Sequence, residues 1–221
     1  MKQALVIGAS GGIGSAVSAA LADNGWQVTR LSRRKDGFDV TSEASVAQHL
    51  GALDGPFHRI IIATGALEIA GHAPEKALRH LSADAMALQF AVNTIGPALV
   101  MKHAIRLLPR DDAAVLASMS ARVGSIGDNR AGGWHSYRAA KAALNQIVRG
   151  AAIELGRSHK QAICVALHPG TVATPFTEKY LGRHPAFEPA EAAANLLKVL
   201  DSLRGADTGG FFDWAGKAVA W

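Results

Sequence analysis

An apolar run at residues 4–7 passes directly into Gly8-Ala9-Ser10-Gly11-Gly12-Ile13-Gly14, and behind it Ile13, Val17, Ala20 and Leu21 recur at helical spacing as far as Asn24-Gly25. A buried strand that turns on glycines into a helix is the opening of a βαβ unit, and it restricts how the rest of the chain can wind around it. Backbone amides of such a turn, together with the helix N-terminus, offer a seat for a pyrophosphate that a side chain at Gly8, Gly12 or Gly14 would obstruct. Ser10 adds a hydroxyl to the same loop. Glycines there also serve tight helix-on-strand packing, but their place directly between strand and helix favours the phosphate.

Continuous apolar runs of strand length recur at 60–63, 113–117 and 163–167, with a shorter run at 27–31 and a last one near 210–214. Strands covered on both faces have this pattern. Helical segments are expected at 82–108, at about 135–155, and at 189–203, where Pro189 opens the helix and Gly205 closes it. The alternation predicts an α/β fold, a doubly wound parallel sheet of the Rossmann type with about seven strands flanked by helices. At 221 residues, without a linker, the expectation is a single dinucleotide-binding and catalytic domain spanning 1–221. The stretch 65–81 carries no readable pattern.

With 49% apolar and 19% charged residues the chain has the make-up of an ordinary globule. No apolar run reaches membrane-spanning length and the N-terminus enters a strand without a charged leader, so a cytoplasmic protein is expected. The net charge of +5 comes from dispersed basic residues, which argues against nucleic acid; the one cluster is Arg33-Arg34-Lys35. Cys164, the only cysteine, lies inside an apolar run and reads as packing, and no metal site is expected.

That basic cluster closes the second strand as Leu31-Ser32-Arg33-Arg34, where an acidic residue would otherwise bind a ribose 2′-hydroxyl. Arginine presents planar donors suited to a 2′-phosphate instead, and the expected cofactor is NADP(H) rather than NAD(H), with Ser32 and Arg33 in contact. Asp39-Val40-Thr41 offers an acidic group and neighbouring amides for an adenine edge, or a plain turn.

Tyr137 and Lys141 stand four apart in an alanine-rich helix, so phenol and ammonium project from one face. A fixed cation favours phenolate and brings the phenol toward acid–base work, a plausible proton donor to a developing alkoxide. Asn93 precedes Pro97 by four residues; proline has no amide hydrogen for the Asn93 carbonyl, which can then anchor a water chain toward Lys141. Ser118 and Ser120 close the 113–117 strand at the carboxyl edge where parallel sheets bind ligands, and either one can hold a substrate oxygen. Past the next strand, Pro169, Gly170, Thr171 and Val172 are placed to frame a nicotinamide, while His168 reads as structural. The segment 171–188, with Phe176, Tyr180 and Phe187, is expected to cover the site; those aromatics suit an apolar pocket or simple docking onto the body.

In this combination the chain resembles the short-chain dehydrogenase/reductase family over essentially its whole length. The matching pieces are Gly8-x-x-x-Gly12-x-Gly14, Asp39-Val40, Ala63-Thr64-Gly65, Asn93, Ser120, Tyr137-x-x-x-Lys141 and Pro169-Gly170. Within it, Gly124-Ser125-Ile126, Gly132-Gly133-Trp134 and the helix through Asn145 resemble the C-factor and sniffer-type carbonyl reductase branch, as does Phe211-Phe212-Asp213-Trp214 with Trp221. The resemblance implies a tetrad: Tyr137 as acid or base, Lys141 holding the nicotinamide ribose and tuning Tyr137, Ser120 orienting the carbonyl, Asn93 supporting a relay water. Arg33 matches the position that marks NADP users; Gly11 stands where some relatives carry a second basic residue. Ile7 replaces the usual threonine, and the asparagine expected before Ala63 is missing. The commonest serine-to-tyrosine spacing lands on Gly124, so Ser120 requires a loop four residues longer and Ser118 stays open. The implied activity is NADP(H)-dependent interconversion of a small-molecule carbonyl compound and its alcohol, in a homodimer or homotetramer; a pteridine-type reductase and a C-factor-like signalling protein with little catalysis are the alternatives.

Overall fold

The computed structural model describes residues 1–181 and 185–221; residues 182–184, within the segment expected to cover the site, lie outside it. Six strands form one parallel sheet: β1 (Gln3–Ile7), β2 (Gln27–Leu31), β3 (Arg59–Ile62), β4 (Ala114–Met119), β5 (Ala162–His168) and β6 (Phe211–Asp213), in the spatial order β2-β1-β3-β4-β5-β6. Each matches a run located in the sequence, whereas a seventh strand is absent among the described residues. The chain past β2 does not extend the sheet: Phe38 donates one backbone bond back to Ser32 (3.3 Å) and turns into the core, and the Asp39 carboxylate then accepts the Thr41 amide (2.9 Å) and bends the chain away.

Helices cover both faces. On one side α1 (Gly12–Asp23) and α7 (Pro189–Ser202) bury Val17, Leu21, Leu196 and Leu200 against Val6, Ile61 and Val165. On the other, α3 (Glu43–Gly51), α5 (Gly96–Ala104) and α6 (His135–Ser158) bury Val46, Val100, Leu144 and Val148 against Leu5, Ile60 and Leu116. The strict alternation of β4 between these two cores places Leu116, Ser118 and Ser120 toward α6 and Ala117 and Met119 toward α1 and α7. A short α2 (Arg33–Asp36) follows β2, and α4 (Ala83–Phe90) leads toward α5.

The helix expected over 82–108 is interrupted. Between α4 and α5 the chain widens into a π-helical turn at Ala91–Ile95, and a 3₁₀ turn at Ile105–Leu107 closes the segment. Pro97 supplies no amide hydrogen to the turn before it, and the widened turn accommodates that loss. Gly96 is needed just there, since a Cβ would stand 2.9 Å from a Val40 methyl. The sheet reverses its winding between β2 on one side of β1 and β3 on the other, which opens a crevice at the carboxyl ends of β1, β3 and β4.

Candidate active site

The glycine turn sits in this crevice. Gly8 has φ +86°, and a Cβ on it would stand 2.7 Å from the Ala63 carbonyl oxygen; at Gly14 a Cβ would meet the Gly8 oxygen at 2.3 Å. The loop after β1 is therefore pressed against the loop after β3, and Ala63 and Thr64 form its second wall. No side chain caps the start of α1, leaving its first amides for a ligand. Gly12 faces a different neighbour: Thr174, from the segment after β5, lies 2.4 Å from where its Cβ would be. Ile13 packs into the α1/α7 core and Ser10 is exposed at the rim.

At the end of β2 the Ser32 hydroxyl caps α2, accepting from the Lys35 amide (3.3 Å) and donating to Asp36 (3.1 Å). Arg33 begins that helix and is exposed, with its side chain unpaired among the described residues. The Asp39 carboxylate is engaged by the Thr41 hydroxyl (2.7 Å) and amide, bonds that hold it below the usual carboxylate range, with a smaller contribution from the Arg33 charge. Asp39 is thus a turn former, and Val40 packs against Gly96.

On the opposite wall, α6 presents Tyr137 and Lys141 into the protein, 6% and 2% exposed. The Lys141 ammonium lies 5.8 Å from the centre of the Tyr137 ring and donates to the Met119 carbonyl (2.9 Å). Burial dominates both groups: it pushes the phenol well above its ordinary value and brings the ammonium down to about 7. In the ligand-free chain burial acts on the phenol against the ionisation that a neighbouring cation favours, which keeps it protonated. A neutral phenol is the form that donates a proton.

Asn93 occupies the centre of the π-helical turn and is fully buried. Its side chain donates to the Ala66 carbonyl (2.9 Å) and Gln89 Oε1 (2.7 Å) and accepts from the Ala66 amide (3.1 Å), fixing the loop after Ala63-Thr64-Gly65. A Cβ at Gly65 would stand 3.0 Å from Asn93 Oδ1 and 3.4 Å from Lys141 Nζ, so these two side chains converge on one spot. Thr94 donates to the Ala140 carbonyl (2.7 Å) and ties the same turn to α6.

Of the two serines, Ser118 lies inside β4, paired between Ile62 and Ala166, rather than at its end. Ser120 is the residue that emerges at the carboxyl edge, its hydroxyl donating to Asn145 Oδ1 on α6 (2.6 Å). Gly124 cannot be exchanged for the serine that the commonest spacing demands: its Cβ would meet the Lys141 Cβ at 2.8 Å and the Lys141 carbonyl carbon at 2.9 Å. Pro169 and Gly170 form a turn under Phe187 and Trp214, whose rings meet edge to face at 4.6 Å, with Thr171 and Val172 leading back toward Thr174. Burial drives His168 down to about 4 and keeps it neutral.

Four aromatic rings bound the mouth: Trp134 against Tyr137 (6.4 Å), Trp134 against Tyr180 (5.3 Å) and Tyr137 against Phe176 (6.4 Å). Glu68 accepts from Lys179 (2.6 Å) and the Tyr180 hydroxyl (2.9 Å), joining the loop after β3 to the covering segment beside a cavity of about 150 Å³. A larger hollow of about 850 Å³ is lined by Gly124, Asn145, Gln146, Arg149, Phe212 and Trp221, and neither Tyr137 nor the glycine turn lines it. Its size carries no chemistry, whereas the small cavity adjoins Phe176, which packs on Tyr137.

Sequence reasoning passed over Gln89, Asn145 and Glu75. Gln89 precedes Asn93 by four residues and Asn145 follows Lys141 by four, so helical spacing was the available signal. Glu75 had none: it lies in the unpatterned 65–81 stretch, yet its buried carboxylate accepts the Ser136 amide (3.2 Å) and hydroxyl and caps α6 next to Tyr137.

A family model described as enoyl-(acyl carrier protein) reductase matches residues 8–208. The 1-hydroxy-2-glutathionyl-2-methyl-3-butene dehydrogenase of Rhodococcus sp. (strain AD45) is 32% identical over 240 aligned positions, covering 100% of each chain. The C-signal protein of Myxococcus xanthus is 34% identical over 137 positions, 62% of this chain and 78% of its own length. Among solved structures, an NADPH-bound carbonyl reductase from chicken fatty liver superimposes with a TM-score of 0.81 at 24% identity, over 100% of this chain and 99% of that one, a likeness of fold. The glycine turn at the sheet's switch point, the buried Tyr137 and Lys141 one helical turn apart and these matches over nearly the full length make the chain an oxidoreductase of the short-chain dehydrogenase/reductase family.

Proposed function

We propose that residues 1–221 act as one dinucleotide-binding and catalytic unit that interconverts a carbonyl compound and its alcohol with NADP(H). The observation that carries this reading is the pairing of a buried phenol with a buried amine one helical turn further along α6, the amine donating to the Met119 carbonyl at the end of β4. The crevice fits a dinucleotide at the start of α1: Gly8 and Gly14 let the turn lie directly against the Ala63 carbonyl and its own backbone, and the uncapped helix start offers amides to a pyrophosphate. Ala63, Thr64 and Gly65 on one wall and Pro169, Gly170, Thr171 and Val172 on the other would hold its remaining parts. Bound there, the reduced nicotinamide supplies the hydride, and the overall change is carbonyl plus NADPH plus a proton to alcohol plus NADP⁺.

The residues of the chain handle the proton. Tyr137, kept neutral by burial, donates to the developing alkoxide; Ser120 contacts the substrate oxygen; Lys141 holds the ribose; Asn93 and its carbonyl anchor the relay that restores the phenolic proton. The aromatic walls from Trp134, Phe176 and Tyr180 exclude water and favour an apolar substrate. The dehydrogenase name of the Rhodococcus relative and the carbonyl reductase name of the superimposed structure support both directions of the reaction. Arg33, exposed where an acidic residue would stand, favours the 2′-phosphate, as does the NADPH in that structure.

The direct test is loss of NADPH absorbance with acetophenone, cyclohexanone and benzaldehyde, and its gain with the matching alcohols. Turnover of at least one pair, with kcat/KM for NADPH about tenfold or more above NADH, is expected, since a charged hydrogen bond contributes roughly 1.5–3 kcal/mol. Tight NADPH binding without turnover of any carbonyl compound would instead favour the signalling reading that the C-signal similarity raises. No helix among the described residues is long and apolar enough to cross a membrane, and we place the protein in the cytoplasm, where fractionation should find it. The half-exposed Ile95 and Ile153 on the outer faces of the π-helical turn and α6 favour a homodimer or homotetramer, and sedimentation giving only monomer would contradict this.

A further inference from the structure

Ser120 and Asn145 are 4% and 3% exposed, and they form a hydrogen bond whose direction is fixed by chemistry. Asn145 Oδ1 is an acceptor only, so at 2.6 Å the shared proton is the serine's. A hydroxyl has one proton and two lone pairs. With its proton committed to Asn145, Ser120 offers the cleft lone pairs alone, which accept from an alcohol or from the Tyr137 phenol and repel a carbonyl oxygen.

The other half of the Asn145 amide is free to change this. Nδ2 is buried without a partner among the described residues, and so is the Ser118 hydroxyl, two residues earlier on the same face of β4. A half-turn of the amide places Nδ2 on Ser120 Oγ as donor and releases the serine proton toward the cleft. The orientation present leaves Nδ2 without a partner, so the hydrogen bonds around Asn145 do not hold the amide at both ends. Lys141 stands one turn before Asn145 on the same helix face and Tyr137 one turn before that, which places the amide in line with the reactive pair.

We infer that Asn145 is a positioning residue that sets the direction of the Ser120 proton and thereby whether the site holds the carbonyl or the alcohol form of its substrate more tightly. The inference rests on the reading above in which Ser120 meets the substrate oxygen. Asn145 itself touches neither substrate nor cofactor. Because the overall equilibrium is fixed, changes at Asn145 move kcat/KM in both directions together, and the diagnostic quantity is the ratio of carbonyl KM to alcohol KM at saturating cofactor.

The test uses the fastest of the three carbonyl–alcohol pairs. Asn145→Asp, an acceptor whichever way it turns, should raise that ratio about tenfold, and Asn145→Leu, which leaves the serine proton free, should lower it about threefold, the loss or gain of one buried hydrogen bond. Both shifts should vanish in the Ser120→Ala background. A merely structural role lowers stability in both variants without moving the ratio in opposite directions. Equal or same-sign shifts, or shifts that persist without the Ser120 hydroxyl, overturn the inference while leaving the oxidoreductase reading standing. If Asn145→Asp does not fold, the Asn145→Leu shift and its disappearance with Ser120→Ala decide the question. No turnover of any pair by the unmodified enzyme overturns the function and this inference together.

Discussion

Burial acts against the charge on Lys141. Its ammonium is held at about 7 against an ordinary 10.5, so between those values the unfolded chain keeps a proton that the folded chain has released. Stability from this group therefore rises as pH climbs through that window, and the full deficit is present below about 7. Tyr137 acts in a higher range: its folded value is raised, so its contribution to stability is complete below the ordinary phenol value of 10.0 and is lost as pH rises above it. Lys141→Met should stabilise the ligand-free protein against urea at pH of about 7 and flatten the gain toward pH of about 10. An unchanged slope would mean that the amine is not desolvated. That Tyr137 and Lys141 share a helix face was legible from their spacing of four, but their burial was not. Spacing shows that two groups can meet; it does not show how much water has been removed from each.

At the scale of elements, α6 is the part that must be placed accurately, and three contacts place it. Glu75 caps its first turn, Thr94 ties Ala140 to the π-helical turn, and Gly124 lets the chain after β4 lie directly on Lys141. Gly124→Ser would restore the commonest family spacing yet drive a Cβ into the Lys141 backbone. It should cost about 1–3 kcal/mol of stability and lower activity rather than supply a better serine. Calorimetry and turnover of that variant check both halves; a stable, fully active Gly124→Ser would contradict the placement of this loop. The π-helical turn explains why a continuous helix was expected over 82–108. Proline and glycine in sequence mark an interruption, but one extra residue in a turn leaves the apolar pattern nearly unchanged. The 65–81 stretch was opaque for a different reason, since its ordering comes from Glu75, Ala66 and Leu67 bonding to distant helices.

For the whole molecule, the order of the sheet decides where chemistry can occur. β1 and β3 diverge to opposite windings, so the glycine turn, the loop after β3 and the end of β4 open on one crevice, and α6 lines its far side. The central strands announce themselves because both of their faces are buried, which forces uninterrupted apolar runs. The runs at β1, β3, β4 and β5 became strands for that reason, whereas the partly exposed β2 and the short β6 lie at the edges of the sheet, a seventh strand had no run to mark it, and the chain at 38–41 turns inward instead. Carbonyl reduction in this crevice turns on the Tyr137 hydroxyl being the group that moves the proton. Tyr137→Phe removes one oxygen from a buried ring and leaves the glycine turn untouched. In that variant kcat for carbonyl reduction should fall at least about 100-fold while NADPH affinity, read from quenching of tryptophan fluorescence, stays nearly unchanged. Full turnover in Tyr137→Phe would contradict it.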